Sequence, residues 1–373
     1  MNDRPVFAIR NLWLRAARHA VWTFVLAQAG AAMCADLAAW RWQQTLQLPQ
    51  PGLIKIELSA ETLDAARADQ GDLRLFDPQG AEVPYVVDQS EPSASVWQRL
   101  EQMDVSVRDR VTVLEFTNSL GVPLESVMVE TPVPSYLKSV TVDVAAANRN
   151  YATQSAGQFL FRQPSGAHRS TVKLKVNPGE RVRLTLDDAR SQPIPLTGLQ
   201  LQGAALEEVA PREHPVTIAR REEASDESRL LLDLGARHLQ VATLKFTVTN
   251  PVFARTVSLI SRVIEDGEIK EQLIARGTIS RGNGPDGILD QTISVEARLP
   301  QRELWLAIRN EDSPPLKIDG VTAAVRPAYL IFQAAKAGSY TLHTGNAGVA
   351  SPKYDITRLR PQLKSIPLSD LSL

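Results

Sequence analysis

Apolar and polar residues alternate with a period of two along much of the chain. The alternation is clearest in residues 54–58, 140–144, 172–176, 182–186, 244–248 and 293–297. Successive side chains of a strand point to opposite faces, so this pattern is typical of strands with one buried and one solvated face. A helix is predicted only at 60–68, with Ser59 as its N-cap. The pattern therefore predicts an all-β fold of tandem antiparallel β-sandwiches preceded by a small β domain.

An internal repeat supports the tandem arrangement. Residues 181–199 resemble residues 303–321 at a constant offset of 122, so that Leu184 aligns with Leu306 and Asp188 with Asn310. Upstream, residues 134–144 resemble 251–261 at an offset of 117. Units of about 120 residues are whole domains, because solenoid repeats are much shorter.

The repeat and the composition shifts along the chain predict six segments. These are a signal peptide at 1–35, a small N-terminal β domain at 36–104, a first β-sandwich at 105–209, a polar linker or edge strand at 210–227, a second β-sandwich at 228–328, and closing strands with a tail at 329–373.

The first 35 residues have the features of an export signal. They contain four arginines and one aspartate, a net charge of +3, which leaves −4 for the remainder. Residues 20–35 are uncharged and mostly apolar, and as a helix they would span about 24 Å, short of a bilayer core. We therefore expect a cleaved signal peptide and a periplasmic or cell-envelope location. Cleavage after Ala32 or Ala35 and lipidation of Cys34 both stay open.

Short motifs near both ends of the mature chain resemble one family. They are residues 40–42, 46–49, 71–77, Gly80, 83–85, Tyr340, 345–346 and 354–355. In these the chain resembles the bacterial domain of unknown function 3999 family. The resemblance implies an exported protein with discoidin-like or galactose-binding, jelly-roll-like sandwiches, and it assigns no catalytic residue. Members often end in a transmembrane helix, whereas we expect no membrane span in this tail, which contains no apolar 18-residue stretch up to Leu373.

The amino-acid composition excludes several classes of protein function. With 43% hydrophobic and 22% charged residues the chain is typical of a soluble globular protein. The 41 basic and 42 acidic residues give no electrostatic footprint for nucleic acid. One cysteine excludes a disulfide framework, and the five histidines show no metal-binding spacing. A G-x-S-x-G nucleophile elbow and a G-x-x-x-x-G-K-[ST] phosphate loop are missing as well, so we assign no catalytic residue and expect no cofactor.

Acidic residues offer two further possibilities. Adjacent acids occur at 187–188, 207–208, 222–223, 265–266 and 311–312. Neighbours on a strand point to opposite faces, so these pairs are interpreted as turn and surface residues. In the glycine-rich loop at 282–290, Asn283, Asp286 and Asp290 are candidate calcium ligands, although a hairpin turn is the favoured interpretation.

Tryptophans are the candidate ligand-binding residues. Trp40 and Trp42 would share one face of a strand, as a stacking platform or as core. Trp305 is expected to point away from Leu306, on a solvated face, where it would pack between domains or bind a ligand.

These observations favour a non-catalytic binding or assembly module that recognises an envelope protein or a glycan. Two alternatives stay open. The first is a polysaccharide-acting enzyme whose carboxylates converge from separate loops, and the second is a periplasmic accessory subunit with an inner-membrane partner.

Overall fold

Strands dominate the computed structural model, which describes residues 39–89, 97–146, 149–204, 210–282, 289–363 and 366–369. This confirms the all-β prediction. None of the helices within these ranges is long and apolar enough to cross a bilayer. The predicted signal peptide, with Cys34, lies outside the described residues.

The chain divides into two compact units. One contains residues 1–56, 65–86 and 331–373, and the other contains 57–64 and 87–330. The N-terminal β segment and most of the tail, which the sequence treats as separate segments, therefore belong to the same unit.

Strands from both ends of the chain build the first unit. The strands that lie wholly or mostly in it are β1 (Trp42–Leu48), β2 (Gly52–Glu57), β3 (Arg74–Phe76), β4 (Glu82–Val83), β25 (Ala328–Ala334) and β26 (Gly338–Thr344), and β5 (Tyr85–Gln89) begins in it. They form a four-stranded sheet in the order β1-β26-β3-β4 and a three-stranded sheet in the order β2-β25-β5. Leu46 of β1 pairs with Tyr340 of β26, and both side chains are buried. A C-terminal strand thus completes the sheet that the N-terminal segment begins.

Helices are few and short in the described part of the chain. They are α1 (Ala60–Ala65), a 3₁₀ helix (Asp355–Leu359) and α2 (Arg360–Leu363). The predicted N-cap of α1 is confirmed, because Thr62 N donates to Ser59 Oγ over 3.2 Å. The helix ends at Ala65, earlier than predicted, because Arg67 N donates to the Asp72 carboxylate over 2.9 Å instead of continuing the helical pattern.

The second unit contains two successive antiparallel sandwiches. The first consists of β6 (Trp97–Arg99), β7 (Asp104–Arg108), β8 (Val111–Thr117), β9 (Leu124–Glu130), β10 (Tyr136–Ala145), β11 (Ala152–Arg162), β12 (His168–Arg169), β13 (Thr171–Val176), β14 (Arg181–Asp187) and β15 (Gly198–Gly203). The second consists of β16 (Arg212–Glu223), β17 (Glu227–Asp233), β18 (Gln240–Val248), β19 (Phe253–Glu265), β20 (Glu268–Arg281), β21 (Leu289–Asp290), β22 (Thr292–Arg298), β23 (Glu303–Arg309) and β24 (Ile318–Arg326).

Both sandwiches follow the same strand order. The first has sheets β12-β11-β10-β14-β8-β7 and β13-β9-β15-β6. The second has the equivalent order β21-β20-β19-β23-β17-β16-β24-β18-β22 in one continuous sheet. There, β16 takes the places of both β6 and β7, because its first half pairs with β24 and its second half with β17. This order is the double-sheet plan of a jelly roll.

The segment 210–227, predicted as a linker or an edge strand, contains the long strand β16. Its only buried hydrophobic residue is Val216, so the strand lacks the alternation that marks the others. Backbone pairing with a strand on each side holds it in the sheet.

The alternation predicted from sequence places aliphatic side chains between the sheets. Leu184 and Leu186 of β14 are fully buried, and so are Leu306 and Ile308 at the equivalent positions of β23. Each buried aliphatic side chain stabilises the fold by roughly 1.5–3 kcal/mol.

One charged pair is enclosed within the first sandwich. The Lys138 ammonium on β10 donates to the Asp188 carboxylate just after β14, and the two side chains are 0% and 1% exposed. Lys138 Nζ also donates to Gln192 O over 2.6 Å, and Thr112 Oγ1 donates to Asp188 Oδ2 over 2.6 Å. Such a pair tolerates burial only when its remaining hydrogen-bonding groups are satisfied, as they are here.

The interpretation of Asp188 as a surface residue is therefore wrong. Its neighbour Asp187 is exposed, but the chain turns after β14 and directs Asp188 inward to Lys138.

We expect Asp188→Asn to destabilise the first sandwich by about 3–5 kcal/mol, because it leaves a buried ammonium without a counter-charge. Urea unfolding of the full chain measures this as an earlier transition. Asp187→Asn, which removes the same charge from an exposed position, is the matched control. Equal midpoints for the two variants would contradict the role assigned to the pair.

Candidate functional site

A groove crosses the outer face of the second sandwich and is the main candidate site. Strands β17, β19, β20 and β23 form its floor, and the β11–β12 loop of the first sandwich, with Ser165 and Gly166, forms one wall. It consists of a cavity of about 340 Å³ and a neighbouring one of about 170 Å³. The two cavities are adjacent, because Ser165, Thr256 and Arg309 line both of them.

Polar contacts hold the first sandwich beside the groove. Arg169 Nη2 donates to Ser280 Oγ over 2.7 Å and pairs with the Asp290 carboxylate over 2.9 Å. Lys173 approaches the same carboxylate, with Nζ 3.6 Å from Oδ1. Burial lowers the pKa of the Arg169 guanidinium, and the charge of Asp290 opposes that shift.

The candidate calcium ligands are thus only partly described. Asp290 faces two cations, which compete with a metal ion for its oxygens. Asn283 and Asp286 lie outside the described residues. Within the described ranges, no cluster of three or more histidine, cysteine, aspartate or glutamate side chains could hold a metal ion.

Trp305 lies under the floor of the groove, which corrects the expectation of a solvated ring. It does point away from Leu306, but its exposure is only 8%. The Arg262 guanidinium lies over the indole, 4.6 Å from the ring centroid. Because Arg262 belongs to the neighbouring strand β19, Trp305 packs within its own sandwich, and the ring is covered against ligand stacking.

Trp40 and Trp42 do not form a shared platform. Trp40 precedes β1, donates its indole N–H to Asp72 O over 2.9 Å and packs edge-on against His343. Burial lowers the pKa of His343. Trp42 starts β1 and is 61% exposed. One tryptophan is thus anchored in the first unit and the other faces solvent.

Two carboxylates converge on the groove from separate strands. Glu227 on β17 and Glu271 on β20 both accept from Arg229, over 2.6 and 2.8 Å. Arg262 also donates to Glu271, over 3.0 Å. Burial alone raises the pKa of Glu271, but the hydrogen bonds from these two arginines outweigh it and hold that pKa below its ordinary value.

Arginine side chains occupy both carboxylates of this pair. A glycosidase needs one carboxylic acid that stays protonated near neutral pH, and the lowered pKa of Glu271 does not suit that role. Glu227 accepts from Arg229, so both carboxylates help to fix arginine side chains beside the groove.

Other arginines at the groove keep their charge available. Arg276 donates its Nε–H to Ser258 Oγ over 3.2 Å and has no ion pair among the described residues. Arg309 is exposed on the groove lining and makes no ion pair with the described part of the chain. Arg255 lines the smaller cavity. Three arginines (Arg255, Arg276 and Arg309) and three glutamates (Glu227, Glu271 and Glu311) line the groove. Because Arg229 already neutralises Glu227 and Glu271, the arginines of the lining favour a ligand with negative charge or many hydroxyl groups.

A larger cavity, of about 880 Å³, lies on the first sandwich near β6 and β7. Its Arg99 is already paired with Glu130 over 3.2 Å. Among the described residues, no buried polar atom without a hydrogen-bond partner belongs to its walls, whereas three such atoms belong to residues of the smaller groove cavity. The groove is therefore the stronger candidate.

Sequence reasoning identified Trp305 and Asp290, which lie under and beside the groove, but missed the arginines that line it. One signal was available. The repeat aligns Asp188 with Asn310, and a change from carboxylate to amide between two copies of a domain marks a change of local charge.

Comparisons with known proteins yield only remote likenesses. No family model and no curated protein matches the sequence. A proposed α-L-fucosidase from Bacteroides ovatus is 13% identical over 62% of this chain and 39% of its own, with a TM-score of 0.21. A glycoside hydrolase 29 family member from an unknown rumen bacterium is 12% identical over 61% and 41%, with a TM-score of 0.21.

The N-terminal CBM22-1–CBM22-2 tandem domain of Paenibacillus barcinonensis Xyn10C is 11% identical over 70% of this chain and 98% of that one, with a TM-score of 0.17. The chain thus spans about two-fifths of the length of the two hydrolases and nearly all of the tandem domain. At such TM-scores these likenesses carry no argument about function.

We expect Asp290→Asn to lower stability by roughly 1–3 kcal/mol, because it removes the charged hydrogen-bond acceptor of Arg169. Thermal melting of the full chain measures the loss. The wild-type midpoint is expected to be the same with calcium and with a chelator. A midpoint that rises with calcium in the wild type, but not in Asp290→Asn, would instead assign Asp290 to a metal site.

Proposed function

We propose that this chain is an exported cell-envelope protein of the domain of unknown function 3999 family that binds a glycan without transforming it. The groove on the second sandwich is the binding site in this proposal. The observation that carries it is the groove lining, where Arg276 and Arg309 lack ion-pair partners among the described residues.

The lining favours a glycan over a protein partner. Hydroxyl and guanidinium groups, such as those of Ser258, Thr256 and Arg276, match the hydroxyl and carboxylate oxygens of a sugar chain. A stable protein interface would instead need an apolar, well-packed centre with aromatic anchors. The covered indole of Trp305 offers no such anchor.

A binding role also fits the electrostatics better than catalysis does. The converging acids, Glu227 and Glu271, are both hydrogen-bonded by Arg229, and the lowered pKa of Glu271 does not suit a residue that donates the proton for glycosidic bond cleavage. Export is supported by the charge pattern of residues 1–35, which predicts a signal peptide.

Replacing two groove arginines tests the proposal. We expect Arg276→Ala combined with Arg309→Ala to weaken glycan binding by at least about tenfold, because each removes a charge-assisted hydrogen-bond donor. The measurement is binding of the full chain to an array of neutral and acidic polysaccharides, alongside capture from an envelope extract.

The matched control combines Arg108→Ala with Arg190→Ala, which removes two exposed arginines from the first sandwich. An unchanged array profile in the groove variant would contradict the assignment of the groove. Capture of a protein that depends on the groove, with no glycan bound, would replace the glycan by a protein partner.

A further inference from the structure

The two sandwiches carry equivalent polar positions beside the same pair of strands. In the first, Val140 of β10 pairs with Leu186 of β14, and in the second, Val257 of β19 pairs with Ile308 of β23. This register makes three pairs of residues equivalent: Lys138 and Arg255, Asp188 and Asn310, and Thr112 and Ser228. Equivalent residues are hydrogen-bonded in both copies, but the direction is reversed: the Thr112 hydroxyl donates to Asp188, whereas the Asn310 amide donates to the Ser228 hydroxyl.

The second copy keeps the cation but has no carboxylate at the equivalent position. Arg255 donates an Nη1–H to Ala254 O over 3.0 Å, while its buried Nε–H has no hydrogen-bond partner among the described residues. Burial lowers the pKa of the Arg255 guanidinium, and the charge of Glu311 opposes that shift without forming an ion pair. A partly buried guanidinium of this kind favours an anionic partner.

Asn310 presents an acceptor beside that donor. The Ser228 hydroxyl donates to the Glu223 carboxylate, so it can only accept from Asn310, whose Nδ2 lies 2.7 Å away. The Asn310 side chain must therefore direct its other atom, Oδ1, away from Ser228. This oxygen is buried in a residue that is 2% exposed and has no hydrogen-bond partner among the described residues.

A third buried atom completes the set. The Thr256 hydroxyl, which can donate or accept, also lacks a partner in the described part of the chain. Arg255, Thr256 and Asn310 all line the smaller cavity of about 170 Å³. The cavity therefore combines a charged donor, an obligate acceptor and a hydroxyl that serves as either.

We infer that this cavity binds a uronic acid residue of an acidic polysaccharide. The inference rests on the proposed function and names its ligand class. The sugar carboxylate would accept from Arg255, and a ring hydroxyl beside the carboxylate would donate to Asn310 Oδ1. The adjoining cavity of about 340 Å³, with Arg276 and Glu271, would hold the neighbouring sugar residues.

Other ligand classes satisfy this set less well. A sulfate ion or an acidic peptide side chain offers charged acceptors without an adjacent hydroxyl, so Asn310 Oδ1 would stay unpaired. A neutral sugar supplies the hydroxyl but leaves the guanidinium without a counter-charge. A uronate supplies both groups on one ring.

Entry requires a small rearrangement. The Nε, Oγ1 and Oδ1 atoms are sealed from bulk solvent, whereas the Arg255 side chain as a whole is only partly buried. Binding would therefore require the Arg255 side chain to move, and a contact with the ligand would replace its hydrogen bond to Ala254 O.

Asn310→Asp tests the inference directly, because it restores the carboxylate that Asp188 supplies in the first sandwich. We expect the new carboxylate to pair with Arg255, to raise the thermal midpoint, and to weaken uronate binding by at least about tenfold. Arg255→Met should weaken binding similarly by removing the cation. Calorimetry with oligomers of galacturonate, glucuronate and mannuronate, and with their methyl esters, provides the measurement.

Asn177→Asp is the matched control, since it adds the same charge at an exposed site of the first sandwich. The inference holds if the acid form of a uronate oligomer binds at least about tenfold more tightly than its ester and only the cavity variants lose that difference. Equal binding of acid and ester, equal binding of polyglutamate, or wild-type affinity in Asn310→Asp overturns it. If the Arg276 and Arg309 variant loses glycans on the array while Asn310→Asp binds uronates normally, the proposed function stands and this inference fails.

Discussion

A buried cation needs a counter-charge or a set of oxygen atoms close to it, and this requirement governs the two sandwiches. The first satisfies it internally, with the Lys138 ammonium held by Asp188 and by Gln192 O. The second has the same strands and register but carries Asn310 where the carboxylate would be. The same fold thus produces a closed polar core in one copy and an incompletely satisfied cluster in the other.

The location of the groove follows from how the strands are arranged. In the second sandwich, β16 runs through both sheets, and the long hairpin of β19 and β20 extends the outer face. The contacts of Arg169 with Asp290 and Ser280 hold the β11–β12 loop against that face. The groove therefore depends on both domains, although its charged floor belongs to the second.

Much of the fold is readable from the sequence, because period-two alternation reports directly which side of a strand is buried. The same rule failed for β16, which is held by backbone pairing on both edges and needs no alternating pattern. It also failed for Trp305, which points away from the core as predicted but is covered by Arg262 from the next strand. Contacts between strands distant in sequence decide such cases. The site itself was visible only as one aligned pair, Asp188 and Asn310.

The groove separates the sources of affinity and specificity. Arg276 and Arg309 lie where water and salt screen their charges, so they contribute mainly to attraction of a charged ligand and to its association rate. Arg255 Nε and Asn310 Oδ1 are sealed from solvent, and in such surroundings a matched hydrogen bond is stronger and an unmatched group is costly. Binding that rests on the exposed arginines would fall with ionic strength for any acidic chain. Discrimination between acidic chains must come from the sealed atoms. There, the position of one ligand hydroxyl decides whether the buried acceptor Asn310 Oδ1 gains a hydrogen bond.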